Sequence, residues 1–267
     1  MQIPVLDSIK TIERQYYTGE MPVQVMCSDM NAYICKYMRS SVSAYKLVCE
    51  FIGAYMADAW KLGSPDVALV TIKQPHWDVV KVSHVISAPT FGCRKMEGVV
   101  DITPSTYGDI EPTVIVFRQI LKIALFDFWI ANEDRNANNA NLLYDVNKGN
   151  IVPIDFGCIF NTATFDFPLS QLTITDTILS SDLFNHLLKG CKGADIDAEL
   201  HKLEKSYKTL IKKSKEEQEL VINDLPKEWN VPAEIVKEKI RQLFDDNWIE
   251  ECWKNFVECL NNNRNEK

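Results

Sequence analysis

The sequence lacks the features that mark several common classes of protein. Eight cysteines occur among 267 residues, but no two form a C-x-x-C pair, and most lie in apolar runs, as Cys35 does in AYICKYM. Buried free thiols behave as small hydrophobes, so we expect reduced, packed cysteines and no disulfide framework. The first residues, MQIPVLDSIKTIER, have neither the basic start nor the apolar core of a signal peptide. We therefore expect a soluble protein of the cytoplasm.

Long apolar runs and an excess of positive charge are also missing. The longest apolar stretch, residues 114–130, is interrupted by Arg118, Lys122 and Asp127, so it does not predict a membrane span. The net charge of −8 disfavours contact with long stretches of nucleic acid backbone. The motif G-x-x-x-x-G-K-[ST] is absent, which excludes an ordinary P-loop NTPase. We expect neither a membrane nor a nucleic acid as partner.

Residues 1–88 predict a small, strand-rich unit with one helix. The runs PVQVMC and AYICKYM are typical of strands, and the SDMN between them suits a turn. Residues 42–62 carry apolar side chains at helical spacing and end at Gly63. DVALVTI then predicts a further strand.

Residues 89–267 predict a larger, mainly helical unit. Residues 87–112 are rich in proline, glycine and threonine and indicate a connector, with a hinge somewhere in residues 88–98. A long amphipathic helix is predicted for residues 113–131. Further helices are predicted near residues 200–210, 233–244 and 248–260. The whole chain of 267 residues has a length that suits one large domain or two lobes that share a cleft.

The segment NEDRNANNANLLYDVNKGNIVPIDFG concentrates polar side chains around a predicted hairpin. LLYD and IVPID are typical of strands, and VNKGN is good turn chemistry between them. An antiparallel fold-back would bring Asn139 and Asn141 near Asp155, with Asp134 just upstream. Two carboxylates and a carboxamide are therefore expected at one end of the hairpin.

Phosphoryl transfer requires this combination of groups. One acidic residue orients the attacking hydroxyl and accepts its proton, while hard oxygen ligands hold Mg²⁺ against the phosphates. Imidazole would suit zinc instead, and all four histidines lie away from the segment. The D-x4-N spacing from Asp134 to Asn139, followed by D-F-G from Asp155, matches the catalytic motifs of protein kinases.

The N-terminal unit contains residues that could bind the nucleotide phosphates. Lys36 lies on a predicted strand, and Glu50 lies 14 residues later on the predicted helix, the order in which kinases place a phosphate-binding lysine and its glutamate partner. Upstream, YTGEMP could cover the phosphates through the backbone of Thr18, Gly19 and Glu20, although it contains one glycine and no G-x-G-x-x-G.

These motifs together resemble the HipA-like kinase family, above all its short, single-domain bacterial members, and more distantly the phosphatidylinositol 3- and 4-kinases. The resemblance spans about residues 15–255. Its matching features are Gly19 with Pro22, YICK ending at Lys36, Glu50, DRNANNANLL, IDFG and the late DLPKEW. It implies an α+β, two-lobed protein-kinase-like fold, with a small β-rich N-lobe (1–88) and a larger helical C-lobe (89–267).

The resemblance also implies roles for individual residues. Asp134 would be the catalytic base, Asn139 and Asp155 would bind Mg²⁺, Lys36 would hold the ATP phosphates and Glu50 would orient Lys36, with Asn141, Gly19 and Thr18 as further nucleotide-binding residues. The implied activity is that of a serine/threonine kinase acting on a protein, with a possible regulatory protein partner. Asn136 stands where lipid kinases have a histidine after Asp-Arg, which weighs against lipid.

Three alternatives remain open at this point. The chain could be a phosphatidylinositol or other small-molecule kinase. It could also be a nucleotide-binding interaction module with little turnover, because the phosphate loop is poor in glycine. Transfer of AMP in place of phosphate is the third.

Overall fold

The computed structural model of the protein describes residues 2–39, 43–77 and 88–265. Its N-terminal part is built on a six-stranded sheet with the strand order β1-β5-β6-β4-β3-β2, in which β1 is parallel to β5 and the other pairs are antiparallel. The strands are β1 (Val5–Asp7), β2 (Arg14–Gln15), β3 (Val23–Met26), β4 (Ala32–Lys36), β5 (Val67–Thr71) and β6 (Thr90–Arg94). Helix α1 (Ala44–Ala59) connects β4 to β5.

The alternation of side chains along β3 and β4 gives this sheet two different faces. Val23, Val25 and Cys35 are fully buried in a small core on one face. Lys36 lies on the opposite face, because side chains alternate along a strand, and its register partner is Phe91 on β6. Phe91 belongs to the main core, together with most of α1. The pattern therefore directs Lys36 toward the helix.

The C-terminal part is organised around α2 (Val114–Ile130), a helix buried along most of its length. The Thr113 hydroxyl caps its first turn by accepting from the Val116 amide at 3.3 Å. A three-stranded antiparallel sheet, β7 (Val99–Asp101), β8 (Leu142–Asp145) and β9 (Asn150–Pro153), carries the hairpin after α2. The remaining helices are the short turn α3 (Ile159–Ala163), α4 (Asp182–Leu188), α5 (Gly193–Asp224), α6 (Ala233–Gln242) and α7 (Asp246–Asn265).

Aromatic side chains join the two parts. The ring of Trp60, directly after α1, stacks on that of Trp129 in α2 with the centroids 5.4 Å apart. The indole N–H of Trp129 donates to the carbonyl of Leu243 at 2.8 Å, and that of Trp248 donates to the carbonyl of Trp129 at 2.9 Å. Because these rings are buried, we expect this contact to contribute strongly to stability.

Most predicted elements are confirmed within a few residues. The helix before Gly63, the long helix up to residue 130, the hairpin and the three C-terminal helices are all present. The predicted start of the first helix at Val42 lies outside the described residues. All eight cysteines are free thiols, as expected.

The prediction of a connector over residues 87–112 is wrong for two segments of the described part of that range. Residues 90–94 form β6, a central strand, and residues 99–101 form β7. Gly92 favours a loop by propensity, but it lies where an added Cβ would be 3.0 Å from Val70 and 3.2 Å from the Cys35 thiol, so the close packing of the sheet explains the glycine. β6 lies beyond residue 88, where the sequence places the end of the N-lobe.

No helix within residues 2–39, 43–77 and 88–265 combines the length and the apolar character that crossing a membrane requires.

Candidate active site

Three carboxylate side chains from distant parts of the chain meet at Lys36. Its Nζ lies 2.5 Å from an oxygen of Glu50, 2.7 Å from one of Asp155 and 2.8 Å from one of Glu20. The Glu50 side chain is 2% exposed and that of Lys36 is 14% exposed. The structure thus brings together the predicted lysine, the predicted helix glutamate and the aspartate of Asp-Phe-Gly.

Two glycines allow the chain to come this close. The second carboxylate oxygen of Glu50 accepts from the Phe156 amide at 2.9 Å, which ties α1 to the Asp-Phe-Gly turn. At Gly53 an added Cβ would lie 2.2 Å from the Cβ of Phe156. At Gly157 it would lie 3.0 Å from an oxygen of Glu50. The absence of side chains at these positions is what brings the turn against the helix.

The charges in this cluster shift one another's pKa values. Burial alone would lower the pKa of Lys36, but the carboxylates of Glu50, Asp155 and Glu20 outweigh it and raise that pKa well above its ordinary value. Burial raises the pKa of Glu50 to about 8, although Lys36 opposes the rise. Burial would also raise the pKa of Asp155, but the charge of Lys36 and hydrogen bonds lower it to about 2. Asp155 is therefore the carboxylate that stays ionised.

A second cluster forms in the loop between α2 and β8. One oxygen of Asp134 accepts from the side-chain amides of Asn139 and Asn141 at 2.9 and 2.8 Å. The amide of Ile154 donates to the carbonyl of Asn141 at 3.0 Å, so this loop is fastened to the residue before Asp155. The fold-back predicted from the sequence is present, and it places the loop beside the Asp-Phe-Gly turn.

The buried side chain of Arg135 supports the loop between α2 and β8 from the protein interior. Its side chain is fully buried; it donates to the Ile154 carbonyl at 3.2 Å and lies over the Phe156 ring at 5.4 Å. Its Nε is 3.4 Å from a carboxylate oxygen of Asp127 on α2. Burial raises the pKa of Asp127 to about 6, although Arg135 opposes the rise. A buried arginine of this kind was not predicted from the sequence.

The predicted phosphate loop is the connection between β2 and β3. The Tyr16 amide donates to the Pro22 carbonyl at 2.9 Å, and the Met21 amide donates to the Thr18 carbonyl at 3.1 Å. Arg39 donates to the Gly19 carbonyl at 2.8 Å. The loop also delivers the Glu20 carboxylate to Lys36, an interaction that was not predicted.

Lys46 is the other charged residue of this region that sequence reasoning missed. Its Nζ contacts a Glu20 oxygen at 3.1 Å. A signal for it exists in the sequence: Lys46 precedes Glu50 by four residues on the same helix, so the two share a face.

The family model described as HipA-like kinase matches residues 9–257. The chain belongs to the HipA-like kinase family. Membership implies a kinase, that is, a transferase that uses ATP. No curated protein matches the chain.

A solved kinase structure shares this fold. The crystal structure of the Helicobacter pylori proinflammatory kinase CtkA is similar at a TM-score of 0.55 and 12% identity, over 96% of this chain and 99% of that chain. A dimer of CtTel1 with C2 symmetry is similar at a TM-score of 0.42 and 12% identity, over 95% of this chain and 12% of that chain. As the similarity to the CtkA structure indicates, the protein has the two-part, α+β protein-kinase-like fold expected from its sequence.

In this HipA-like kinase, Glu133 holds the segment after Asp-Phe-Gly. Its two carboxylate oxygens accept from Asn161 and from the Thr162 hydroxyl, each at 2.8 Å. Phe160, Asn161, Thr162 and Ala163 all have positive φ values of 53–60°. Such a run is costly for residues with a Cβ, so the contacts of Glu133 stabilise an otherwise unfavourable turn.

The oxygen donors fit the magnesium ion that a kinase uses. Asp155 supplies a carboxylate, and the side-chain carbonyl of Asn139 is available because its amide nitrogen donates to Asp134. Mg²⁺ prefers oxygen ligands of this kind. Three carboxylates, from Glu20, Glu50 and Asp155, have oxygens within 4.8 Å of one another.

A cavity of about 780 Å³ adjoins the end of β6. It is lined by Gln24, Met26 and Ala32 of the sheet, by residues 94–97 and by the β8–β9 turn. Neither Lys36 nor Asp155 lines it. The cavity thus borders part of the predicted hinge, residues 88–98.

Proposed function

We propose that this HipA-like kinase transfers the γ-phosphoryl group of ATP to a serine or threonine hydroxyl of a protein, with Mg²⁺ as cofactor. The observation that carries the proposal is the contact of one lysine, Lys36, with both Glu50 and Asp155 at 2.5 and 2.7 Å. That contact joins a strand, a helix and the Asp-Phe-Gly turn at one point, where kinases bind phosphates and metal.

Each side chain has a role in this proposal. Asp134 is the catalytic base: two asparagine amides fix one of its oxygens, which leaves the other to accept the proton of the attacking hydroxyl. Lys36 binds the α- and β-phosphates, and Glu50 orients Lys36. We further propose that the backbone of Thr18 and Gly19 covers the phosphates and that Asn141 supports the loop.

Asn139 and Asp155 would hold Mg²⁺, which when bound neutralises charge on the phosphates. Lys36 adds a fixed positive charge in a site that is largely shielded from water, where electrostatic stabilisation is stronger than in bulk solvent. Because little covalent chemistry falls to the protein in phosphoryl transfer, positioning of this kind supplies most of the rate.

We also propose that the boundary between the lobes lies after β6. Thr90–Arg94 pairs with β4 and β5 of the N-terminal sheet, which leaves residues 95–98 as the hinge and places the cavity at the end of β6 beside it.

The test of the proposed function is transfer of label from [γ-³²P]ATP with Mg²⁺. The purified chain is offered proteins of a cell lysate in one reaction and phosphatidylinositol vesicles in another. Labelled serine or threonine after acid hydrolysis of the proteins supports the proposal. Label in lipid alone points to a lipid kinase, and no label in either reaction rejects transfer to protein or to phosphatidylinositol.

A nucleotide-binding module with little turnover is the second candidate. The observation that favours it is the Glu20 carboxylate, which already contacts Lys36 where a phosphate would. A thermal shift with ATP but no transfer of label would support this alternative.

A further inference from the structure

The carboxylate of Glu20 lies between two lysines. One of its oxygens is 2.8 Å from the Nζ of Lys36 on β4, and the other is 3.1 Å from the Nζ of Lys46 on α1. The Glu20 side chain is 19% exposed. A carboxylate held by two ammonium groups shows that the two lysines can bind one anion together.

We propose that Lys46 is a second phosphate-binding residue and that Glu20 is an internal anion, which competes with the nucleotide phosphates for Lys36 and Lys46. This inference rests on the proposed function, because it assumes that the phosphates of ATP reach Lys36. It adds a binding residue and an autoinhibitory contact to the kinase site.

The position of Lys46 favours an anion rather than a purely structural pair. Lys46 is the third residue of α1, and a cation in the first turn is disfavoured by the helix dipole. The first turn of α1 contains no acidic residue, and the Ser43 side chain makes no capping hydrogen bond. The dipole and the lysine therefore both favour a negative group here. Within the described residues, Glu20 of the phosphate loop provides one.

The charges near Lys36 show why Glu20 would oppose nucleotide. Lys36 and Lys46 each carry a positive charge, and the Glu20 carboxylate contacts both of them. Without Glu20 the site would be more positive by one unit of charge. A triphosphate would therefore meet repulsion while Glu20 remains, and two available ammonium groups once it has moved.

The loop can move without disturbing the core. Glu20 lies in the turn between Thr18 and Met21, and an added Cβ at Gly19 would meet no atom within 4 Å. Withdrawal of Glu20 would also cost the contact between Arg39 and the Gly19 carbonyl. We expect the loop to exchange these contacts for contacts with the phosphates.

The test is titration calorimetry of adenosine, ADP and ATP, each with Mg²⁺, on the wild type, Glu20→Gln and Lys46→Gln. Lys61→Gln, at an exposed lysine just past α1, is the matched control. Glu20→Gln should tighten ADP and ATP binding about tenfold, which is about 1.4 kcal/mol, and leave adenosine binding unchanged. Lys46→Gln should weaken the binding of ATP but not that of adenosine. In the wild type this change also removes the ion pair between Lys46 and Glu20, which partly offsets the loss of the phosphate contact. The loss of ATP affinity should therefore be larger when Glu20→Gln is already present.

Several results would overturn the inference. Equal ATP affinity for the wild type, Glu20→Gln and Lys46→Gln would reject it while leaving the proposed function intact. Tighter adenosine binding by Glu20→Gln would indicate a general change in the loop. Weaker ATP binding by Glu20→Gln would indicate that Glu20 is a metal ligand. If no variant binds any adenine nucleotide, the proposed function fails as well.

Discussion

Gly53 allows a direct test of the contact between α1 and the Asp-Phe-Gly turn. In Gly53→Ala the new Cβ would lie 2.2 Å from the Cβ and 2.6 Å from the Cγ of Phe156. Carbon atoms pack at about 3.5 Å or more, so the helix and the turn must separate by about 1.3 Å. Overpacking costs about 1–3 kcal/mol, while replacing a mid-helix glycine returns about 0.5–1 kcal/mol. The free energy of unfolding should therefore fall by about 0–2.5 kcal/mol.

The effect on phosphoryl transfer should be larger than the effect on stability. Separation would strain the 2.9 Å hydrogen bond from the Phe156 amide to Glu50 and shift Asp155 relative to Lys36. A misplacement of about 1 Å can lower a rate by about 10²-fold. Urea unfolding and kcat/KM for ATP measure the two effects.

A matched glycine serves as the control for this change. Gly108→Ala places a Cβ with no atom within 4 Å, so both measurements should stay near those of the wild type. A Gly53→Ala variant with wild-type stability and wild-type rate would show that the helix and the turn are not in this contact.

Three further predictions concern ion pairs and nucleotide. Asp127→Ala leaves the buried Arg135 without its carboxylate, and we expect the free energy of unfolding in urea to fall by about 3–5 kcal/mol. Lys61→Ala, which breaks an exposed ion pair, should lower it by at most about 1 kcal/mol. Equal losses in the two variants would contradict the burial of Arg135. Hydrogen bonds from Arg118 lower the pKa of Glu199 to about 2, so the pair stabilises the fold above the ordinary pKa of a glutamate and loses this contribution as pH falls toward 2. The Tm of Glu199→Gln should therefore fall less between pH 5 and pH 3 than that of the wild type, and parallel curves would count against it. ATP at one hundred times its Kd should stabilise the wild type by about 2.7 kcal/mol, a rise in Tm of roughly 5–10 °C, and Lys36→Ala should remove most of that rise; an equal rise in both proteins would remove Lys36 from the nucleotide site.

The sequence was most informative where a local pattern, such as a turn motif, also determines which distant residues come into contact. The turn-forming VNKGN fixes a hairpin, and the hairpin alone determines that Asn141 and Ile154 meet, as their 3.0 Å hydrogen bond shows. Lys36 and Glu50 could be paired because a strand followed by a helix is a familiar order in kinases. In the structure the two side chains are in contact at 2.5 Å.

The features that were missed depend on tertiary packing. β6 contains Gly92, and its place in the centre of the sheet is decided by neighbours 20 or more residues away. The contact of Glu20 with Lys36 follows from the path of the phosphate loop, which no local pattern records. Arginine is usually a surface residue, so the sequence gives no sign that α2 and the Phe156 ring bury Arg135.

In the proposed reaction, Asp134 accepts a proton while Asp155 holds the metal of a bound ATP. The measurement that tests it most directly compares ATP binding with phosphoryl transfer in Asp134→Asn and Asp155→Asn. Asp134→Asn should bind Mg²⁺-ATP as the wild type does but lower the transfer rate by roughly 10²–10⁴, whereas Asp155→Asn should lose the part of ATP binding that depends on Mg²⁺. Full transfer rates in both variants would contradict the account.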